Sequence, residues 1–316
     1  MNAPSKIRAD QRSAFLEDVL AGLSRPQKSL PSKWLYDEEG SRLFEAITEL
    51  PEYYPTRTEL SILKQAAPGL AEEISPGAAL VEFGNGSSLK TRMVLDAAPQ
   101  IAVYVPVDIS LEALQASADE LRRAYPQLVV APLAGDFTQA LRLPREAEGR
   151  PRTGFFPGST VGNFTADGAV AFLAAAARLL GEGGYMLVGV DLVKDASVLL
   201  AAYDDAQGVT AAFNLNLLAR INRELGGDAD PEGFRHDDRW NVGSSRIEMH
   251  LVSRRRQSIT VAGERFDFRE GESIHTENSH KFTLDGFAGL ATRAGWRQDR
   301  VWTDPDRLFA VVLLKS

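Results

Sequence analysis

The sequence predicts an α/β fold: a doubly wound, mostly parallel sheet closed by a terminal antiparallel hairpin, joined to a smaller α+β domain. Three observations predict it. From Ala78 to Asp191, short apolar runs alternate with helical segments, the rhythm of βαβ units. Glycine and acidic residues recur at the ends of successive strands, where open α/β sheets bind ligands. Two final strand-like runs, Trp296–Thr303 and Leu308–Lys315, flank the turn Asp304–Arg307, a hairpin that a parallel dinucleotide-binding sheet generally lacks.

Taken in order, Ser13–Leu23 and Ser41–Glu49 read as amphipathic helices around a loop at Pro31–Asp37, and a third helix runs from about Arg57 to Ile74. Ala78–Phe83 is an apolar strand leading into a glycine turn and the helix Lys90–Ala98. Ile101–Asp108, Leu128–Ala134, Gly154–Pro157 and Gly184–Asp191 read as further strands, with helices at Leu111–Tyr125 and Asp167–Leu180. Beyond Ala196 the rhythm breaks. One long helical stretch covers Leu200–Leu225, and a polar loop continues to about Arg239. Strands are expected at Arg246–Ser253, Ser258–Ala262 and Glu264–Phe268, the first two joined by the basic turn Arg254–Gln257. A helix follows at Leu284–Ala294.

Composition narrows the chemistry. The 316 residues include no cysteine, which excludes disulfides, thiolate metal sites and a cysteine nucleophile. The four histidines, His236, His250, His275 and His280, lack H-E-x-x-H spacing, so no metal is expected. A formal charge of −8 argues against nucleic acid as a partner. With no signal peptide and no apolar run long enough for a bilayer, the reading is a cytoplasmic monomer without a membrane partner, its polar start Met1–Asp10 a frayed tail.

The strand ends carry a nucleoside signature. Gly84 and Gly86 allow a tight turn after the first strand, and the following helix presents free N–H groups. Asp108 ends the next strand, where it can accept both ribose hydroxyls; its rival role is to cap the Leu111 helix, for which Ser110 competes. Asp136 and Phe137 end the third strand, offering an acceptor for an adenine amino group and an aromatic cover. The third position of a G-x-G-x-x-G turn is Leu89, which disfavours a dinucleotide pyrophosphate and favours S-adenosylmethionine.

Several stretches then resemble one family over almost the whole chain, the histidine Nα-methyltransferases of the ergothioneine pathway. They are Lys33–Asp37 with Gly40-Ser41, Pro51–Arg57 (P-E-Y-Y-P-T-R), Gly84–Thr91, Phe155–Phe164 (F-F-P-G-S-T-V-G-N-F), Ala211–Asn214, Ile247–Met249 and Thr276–Phe282. Asn85 and Phe83 depart from the family's turn, where serine and leucine stand. The resemblance implies a class I methyltransferase domain at residues 59–194 and 282–316, and a substrate domain at 8–58 and 195–281. It implies that Gly84, Gly86, Lys90, Asp108, Asp136 and Phe137 bind S-adenosylmethionine. Asn163 and Tyr203 would hold the amino acid's carboxylate, and Tyr53 or Tyr54, with Asn163, its α-amine. Glu277 and Ser279 would bind the imidazole, with Met249 packed against it and Tyr36 nearby.

The residue types suit those roles. An imidazole offers one donor and one acceptor, which a carboxylate beside a hydroxyl satisfies. Taken singly, the same residues read as structural: Tyr53 and Tyr54 as core aromatics, Asn163 as a turn residue, Tyr203 as a helix-face aromatic, Glu277 as a loop charge. The mechanism implied is in-line attack of a neutral α-amine on the sulfonium methyl, repeated to the trimethylated product, with S-adenosylhomocysteine as by-product. The rivals are a methyltransferase acting on another aromatic amino acid such as tryptophan, a nicotinamide-dependent oxidoreductase, and a non-catalytic binding protein that keeps the fold.

Overall fold

The computed structural model describes residues 9–84, 88–109 and 111–316. The chain divides into two compact units, Met1–Tyr54 with Lys194–Ser279, and Pro55–Val193 with His280–Ser316. No described helix is long and apolar enough to cross a membrane.

The second unit is the doubly wound sheet. Its strands are β1 (Ala79–Phe83), β2 (Val103–Asp108), β3 (Val129–Val130), β4 (Leu133–Ala134), β5 (Arg152–Phe156), β6 (Tyr185–Asp191), β7 (Arg297–Thr303) and β8 (Phe309–Lys315). They lie in the order β7-β8-β6-β5-β1-β2-β3, with β4 also pairing β2. Pairing is parallel from β6 through β5, β1 and β2 to β3, and antiparallel where β8 joins β6 and β7 joins β8. The central strands are nearly continuous apolar runs because helices cover both faces. One face buries Phe83, Phe156, Phe172 and Phe287 beneath the helices Ala166–Leu180 and Leu284–Arg293. The other buries Ile62, Leu70, Leu95, Tyr104 and Leu121 beneath the helices Tyr54–Glu73, Ser88–Ala97 and Leu111–Ala124. Each such large apolar side chain contributes roughly 1.5–3 kcal/mol. The strand order reverses between β1 and β5, which makes their carboxyl ends the expected ligand crevice.

The first unit is α+β. A four-stranded sheet orders Lys28–Ser29, Ser273–His280, Arg246–Ser253 and Phe234–Asn241, and a separate hairpin pairs Gln257–Val261 with Glu264–Phe268. Around them lie the helices Ala9–Leu23, Glu38–Thr48, Ala196–Tyr203 and Val209–Leu225. Asp37 starts the second of these by accepting from Gly40 N at 2.7 Å, and Asn216 Nδ2 donates to the same oxygen at 2.7 Å. A Cβ at Gly40 would stand 1.8 Å from Leu35 O, which is why glycine is needed there.

The elements differ from the sequence reading in four places. Leu128–Ala134 is two short strands rather than one, because Ala131 N bonds Tyr104 O but Pro106, next along β2, has no N–H to return to Ala131 O. The stretch Leu200–Leu225 is two helices: Gly208 turns the chain at φ +72°, and Asp205 caps the second helix by accepting from Val209 N and Thr210 N. The polar run before Arg239 contains the strand Phe234–Asn241, an edge strand on which Arg235 and Arg239 are exposed while His236 turns inward to Asn214. The strand Ser273–His280 is not among the elements expected from the sequence; it is buried on both faces yet built largely from polar residues.

Candidate active site

At the carboxyl ends of the sheet unit's parallel strands, Gly84 leaves β1 at φ +83°, a conformation that favours glycine, and its N–H bonds Val107 O at 2.9 Å. Gly86 lies outside the described residues, as does Ser110. Asp108 is half-buried at the end of β2, and its carbonyl accepts from Gly135 N at 2.9 Å, which draws the ends of β2 and β4 together. Asp136 Oδ1 accepts from Thr138 N at 2.8 Å, fixing the carboxylate's direction. Phe137 packs edge-on against Phe83, Phe156 and Phe172 at 5.7–6.5 Å, so its ring is held from below by the core. These groups fit a nucleoside: a glycine with no side chain at Gly84, two carboxylates and an anchored aromatic at neighbouring strand ends.

Behind that row stands a charge the sequence did not announce. Glu59 is fully buried, accepts from Gly158 N at 3.0 and 2.9 Å, and pairs with Lys90 Nζ at 2.7 Å. Lys90 is thus engaged inside the unit by a carboxylate. Below the turn, Glu82 is also buried, accepting from Thr91 Oγ1 at 2.7 Å and Tyr104 Oη at 2.6 Å. Burial pushes its carboxyl up to about 7, against the lowering effect of those two hydroxyls.

The motif F-F-P-G-S-T-V-G-N-F is the end of β5 and a loop clamped at three points. Gly158 (φ +77°) is held by Glu59, and Ser159 sits in the left-handed region at φ +56°, a strained position for a serine. Ser159 Oγ accepts from Asp191 N at 2.9 Å, and Asp191 forms a fully buried ion pair with Lys281 at 2.8 Å. Gly162 O accepts from His280 Nδ1 at 2.8 Å, and a Cβ on Gly162 would stand 2.7 Å from His280 O. Asn163, half-buried, is the last residue of the 3-10 turn Thr160–Asn163 that these clamps define.

In the first unit the structure gathers most of the remaining expected residues. Glu277 and Ser279 are 9% and 6% exposed and, two apart in a strand, share a face. Tyr203 Oη donates to Ser279 Oγ at 2.7 Å. Tyr53 packs edge-on against Tyr203 (6.4 Å) and Phe44 (6.2 Å), and Tyr36 against Phe44 and Phe213. Burial, then the charge of Glu277 and the hydroxyl of Tyr203, hold the Tyr36 phenol well above the usual tyrosine range. Met249 is buried, and its carbonyl accepts from Thr276 Oγ1 at 3.0 Å. The tyrosine pair separates: Tyr53 joins this aromatic group, whereas the Tyr54 hydroxyl accepts from Lys194 Nζ at 2.7 Å.

Asn214 is the polar hub behind this set. Fully buried, it bonds His236 Nδ1 (2.9 Å), His250 O (3.1 Å) and Thr276 Oγ1 (2.7 Å), while His236 Nε2 meets Tyr203 O at 2.9 Å. Among the described residues, one group could in principle hold a metal: Glu248, His250 and His275, with ligand atoms within 4.8 Å. The histidines, distant in sequence, do converge there. The two rings stack at 4.9 Å, nearly parallel, so no single point lies in both ring planes between them. Glu248 Oε1 is held by Arg246 and Asn241, His250 bonds Ser273 Oγ, and His275 bonds Glu277 O.

A mostly parallel sheet of this order, closed by an antiparallel hairpin, is the fold of a class I methyltransferase. A family model described as histidine-specific, S-adenosylmethionine-dependent methyltransferase matches residues 15–316. The chain belongs to that family and is an S-adenosylmethionine-dependent methyltransferase. It is 44% identical to the histidine N-alpha-methyltransferase of Mycolicibacterium smegmatis, covering 95% of this chain and 94% of that one. It is 30% identical to ergothioneine biosynthesis protein 1 of Neurospora crassa, over 95% of this chain and 35% of that longer protein. Among solved structures, an S-adenosylmethionine-dependent methyltransferase from Clostridium acetobutylicum is similar at 12% identity and a TM-score of 0.44, covering 98% of this chain and 99% of that one.

Proposed function

We propose that this protein methylates the α-amine of L-histidine, three times in succession, to give Nα,Nα,Nα-trimethyl-L-histidine in ergothioneine biosynthesis. The observation that carries the substrate choice is the buried pair Glu277 and Ser279 on one strand face, with the Tyr203 hydroxyl donating to Ser279. On this reading a hydroxyl and a carboxylate on one strand face meet the two imidazole nitrogens, the carboxylate accepting the N–H and the hydroxyl meeting the other nitrogen. Among amino acid side chains, few besides imidazole offer both. The mycobacterial relative at 44% identity, a histidine N-alpha-methyltransferase, supports the same choice.

When bound, S-adenosylmethionine supplies an electrophilic sulfonium methyl; Gly84, Asp108, Asp136 and Phe137 hold its adenosyl part, and Lys90 its methionyl carboxylate. Asn163 and Tyr203 bind the amino acid's carboxylate, and Asn163 with Tyr53 orients the amine. These are neutral groups, so they direct the lone pair of the free amine without fixing it as a cation. Tyr36, held neutral, adds bulk beside the imidazole and no competing charge. Rate comes from placing the amine in line, a contribution that reaches about 7–11 kcal/mol in well-oriented systems. The test is mass spectrometry after incubation with S-adenosylmethionine and all twenty amino acids. A series of +1, +2 and +3 methyls on histidine alone is expected; methylation of another amino acid, or of none, would overturn the reading.

A further inference from the structure

We propose that Glu59 is a positioning residue of methyl transfer, setting the separation between the donor turn and the loop that carries Asn163; this rests on the reading of Asn163 as a substrate contact. Gly158 begins the loop after β5, and Lys90 lies in the first turn of the helix after β1. Those two strands border the crevice where the sheet order reverses. Glu59 bridges them, with both carboxylate oxygens on Gly158 N and one on Lys90 Nζ. Its side chain is about 1% exposed and that of Lys90 12%, so the bridge is dry on the Glu59 side while the ammonium retains an outlet. A carboxylate with so little water persists only if paired and hydrogen-bonded, and here both conditions are met by groups of the crevice itself.

Space for the carboxylate is reserved by Gly189 in β6, where a Cβ would stand 2.1 Å from Glu59 Oε1. Gly189 is not needed for its backbone angles, since its φ is not positive. The bridge requires both charge and reach. Glutamine would set an amide N–H against one of two donors, and aspartate falls short by one methylene. Such a bridge governs relative placement of turn and loop, and in-line transfer is sensitive to shifts of about 1 Å.

The test compares wild type with Glu59→Gln, Glu59→Asp and Gly189→Ala, the last moving the carboxylate without removing it. The readouts are kcat and KM for histidine, the calorimetric Kd for S-adenosylmethionine, and the melting temperature. Glu59→Gln and Gly189→Ala are each expected to lower kcat by about tenfold or more and to raise the donor's Kd by about tenfold, in protein still folded at the assay temperature. Lower melting temperature with kcat and donor Kd within about twofold of wild type would overturn the proposal. Should Glu59→Gln not fold, the same criterion applies to Gly189→Ala and Glu59→Asp. Asn163→Ala, run in parallel, reports only on the underlying reading: its failure would leave the donor Kd of the Glu59 variants unaffected as a measure of the bridge.

Discussion

On the proposed reading, Glu277 is the residue on which substrate choice turns. It is buried, and an imidazole N–H would suit its carboxylate better than the largely apolar face of an indole. Glu277→Ala is therefore expected to raise KM for histidine strongly, with the kcat/KM ratio of histidine to tryptophan falling by about 10²-fold or more. An unchanged ratio would remove Glu277 from the substrate site. Asp108 answers the same question for the donor. Asp108→Ala is expected to weaken S-adenosylmethionine binding by about 1.5–3 kcal/mol, the scale of a hydrogen bond to a charged group, with the fold retained. Calorimetry decides it, and unchanged affinity would return Asp108 to the role of a strand terminus.

At the scale of elements, the loop from Pro157 to Phe164 shows what sequence can and cannot tell. The parallel strands were legible because burial on both faces writes them as apolar runs, and Asp108 and Asp136 were legible because strand ends follow from strands. Tyr53 and Tyr54 are chemically identical in sequence; Phe44 and Tyr203 beside the first, and Lys194, 140 positions from the second, distinguish their surroundings. Glu59 sits in an amphipathic helix among other charged residues, and nothing local marks it as the one turned inward. The strand Ser273–His280 was hidden because its buried positions are polar, satisfied by partners such as Asn214 and Tyr203. The same tertiary origin makes the loop testable. Gly162→Ala places a methyl 2.7 Å from the backbone of His280, so either that strand end or the loop must move. The expected cost is about 1–3 kcal/mol of stability, together with a loss of kcat/KM for histidine at nearly constant donor affinity, since Asn163 is the next residue. Stability loss with unchanged histidine kinetics would show that the loop's position is not used in catalysis.

For the whole molecule, two buried groups in different units give stability opposite dependences on pH. In the first unit, burial lowers His250 to about 4, so its contribution is complete above the unfolded value near 6.5 and is lost as pH falls through 4. In the sheet unit, Glu82 is raised from 4.5 to about 7. Between those values the unfolded chain has released a proton that the folded chain retains. Folded stability therefore falls as pH rises from 4.5 to 7 and is flat above, where the buried carboxylate must carry charge with Oε1 lacking a hydrogen-bond partner. A shift of this size corresponds to about 3 kcal/mol. Because the His250 and Glu82 slopes largely cancel in the wild-type profile, only a difference measurement isolates either one. Glu82→Gln keeps a carbonyl oxygen for Thr91 and Tyr104 and removes the titration. Relative to wild type, the variant is expected to gain about 3 kcal/mol in unfolding free energy between pH 4.5 and pH 8, read from urea melts at a series of pH values. A wild-type-minus-variant difference that stays constant over that range would mean that Glu82 is not perturbed by burial.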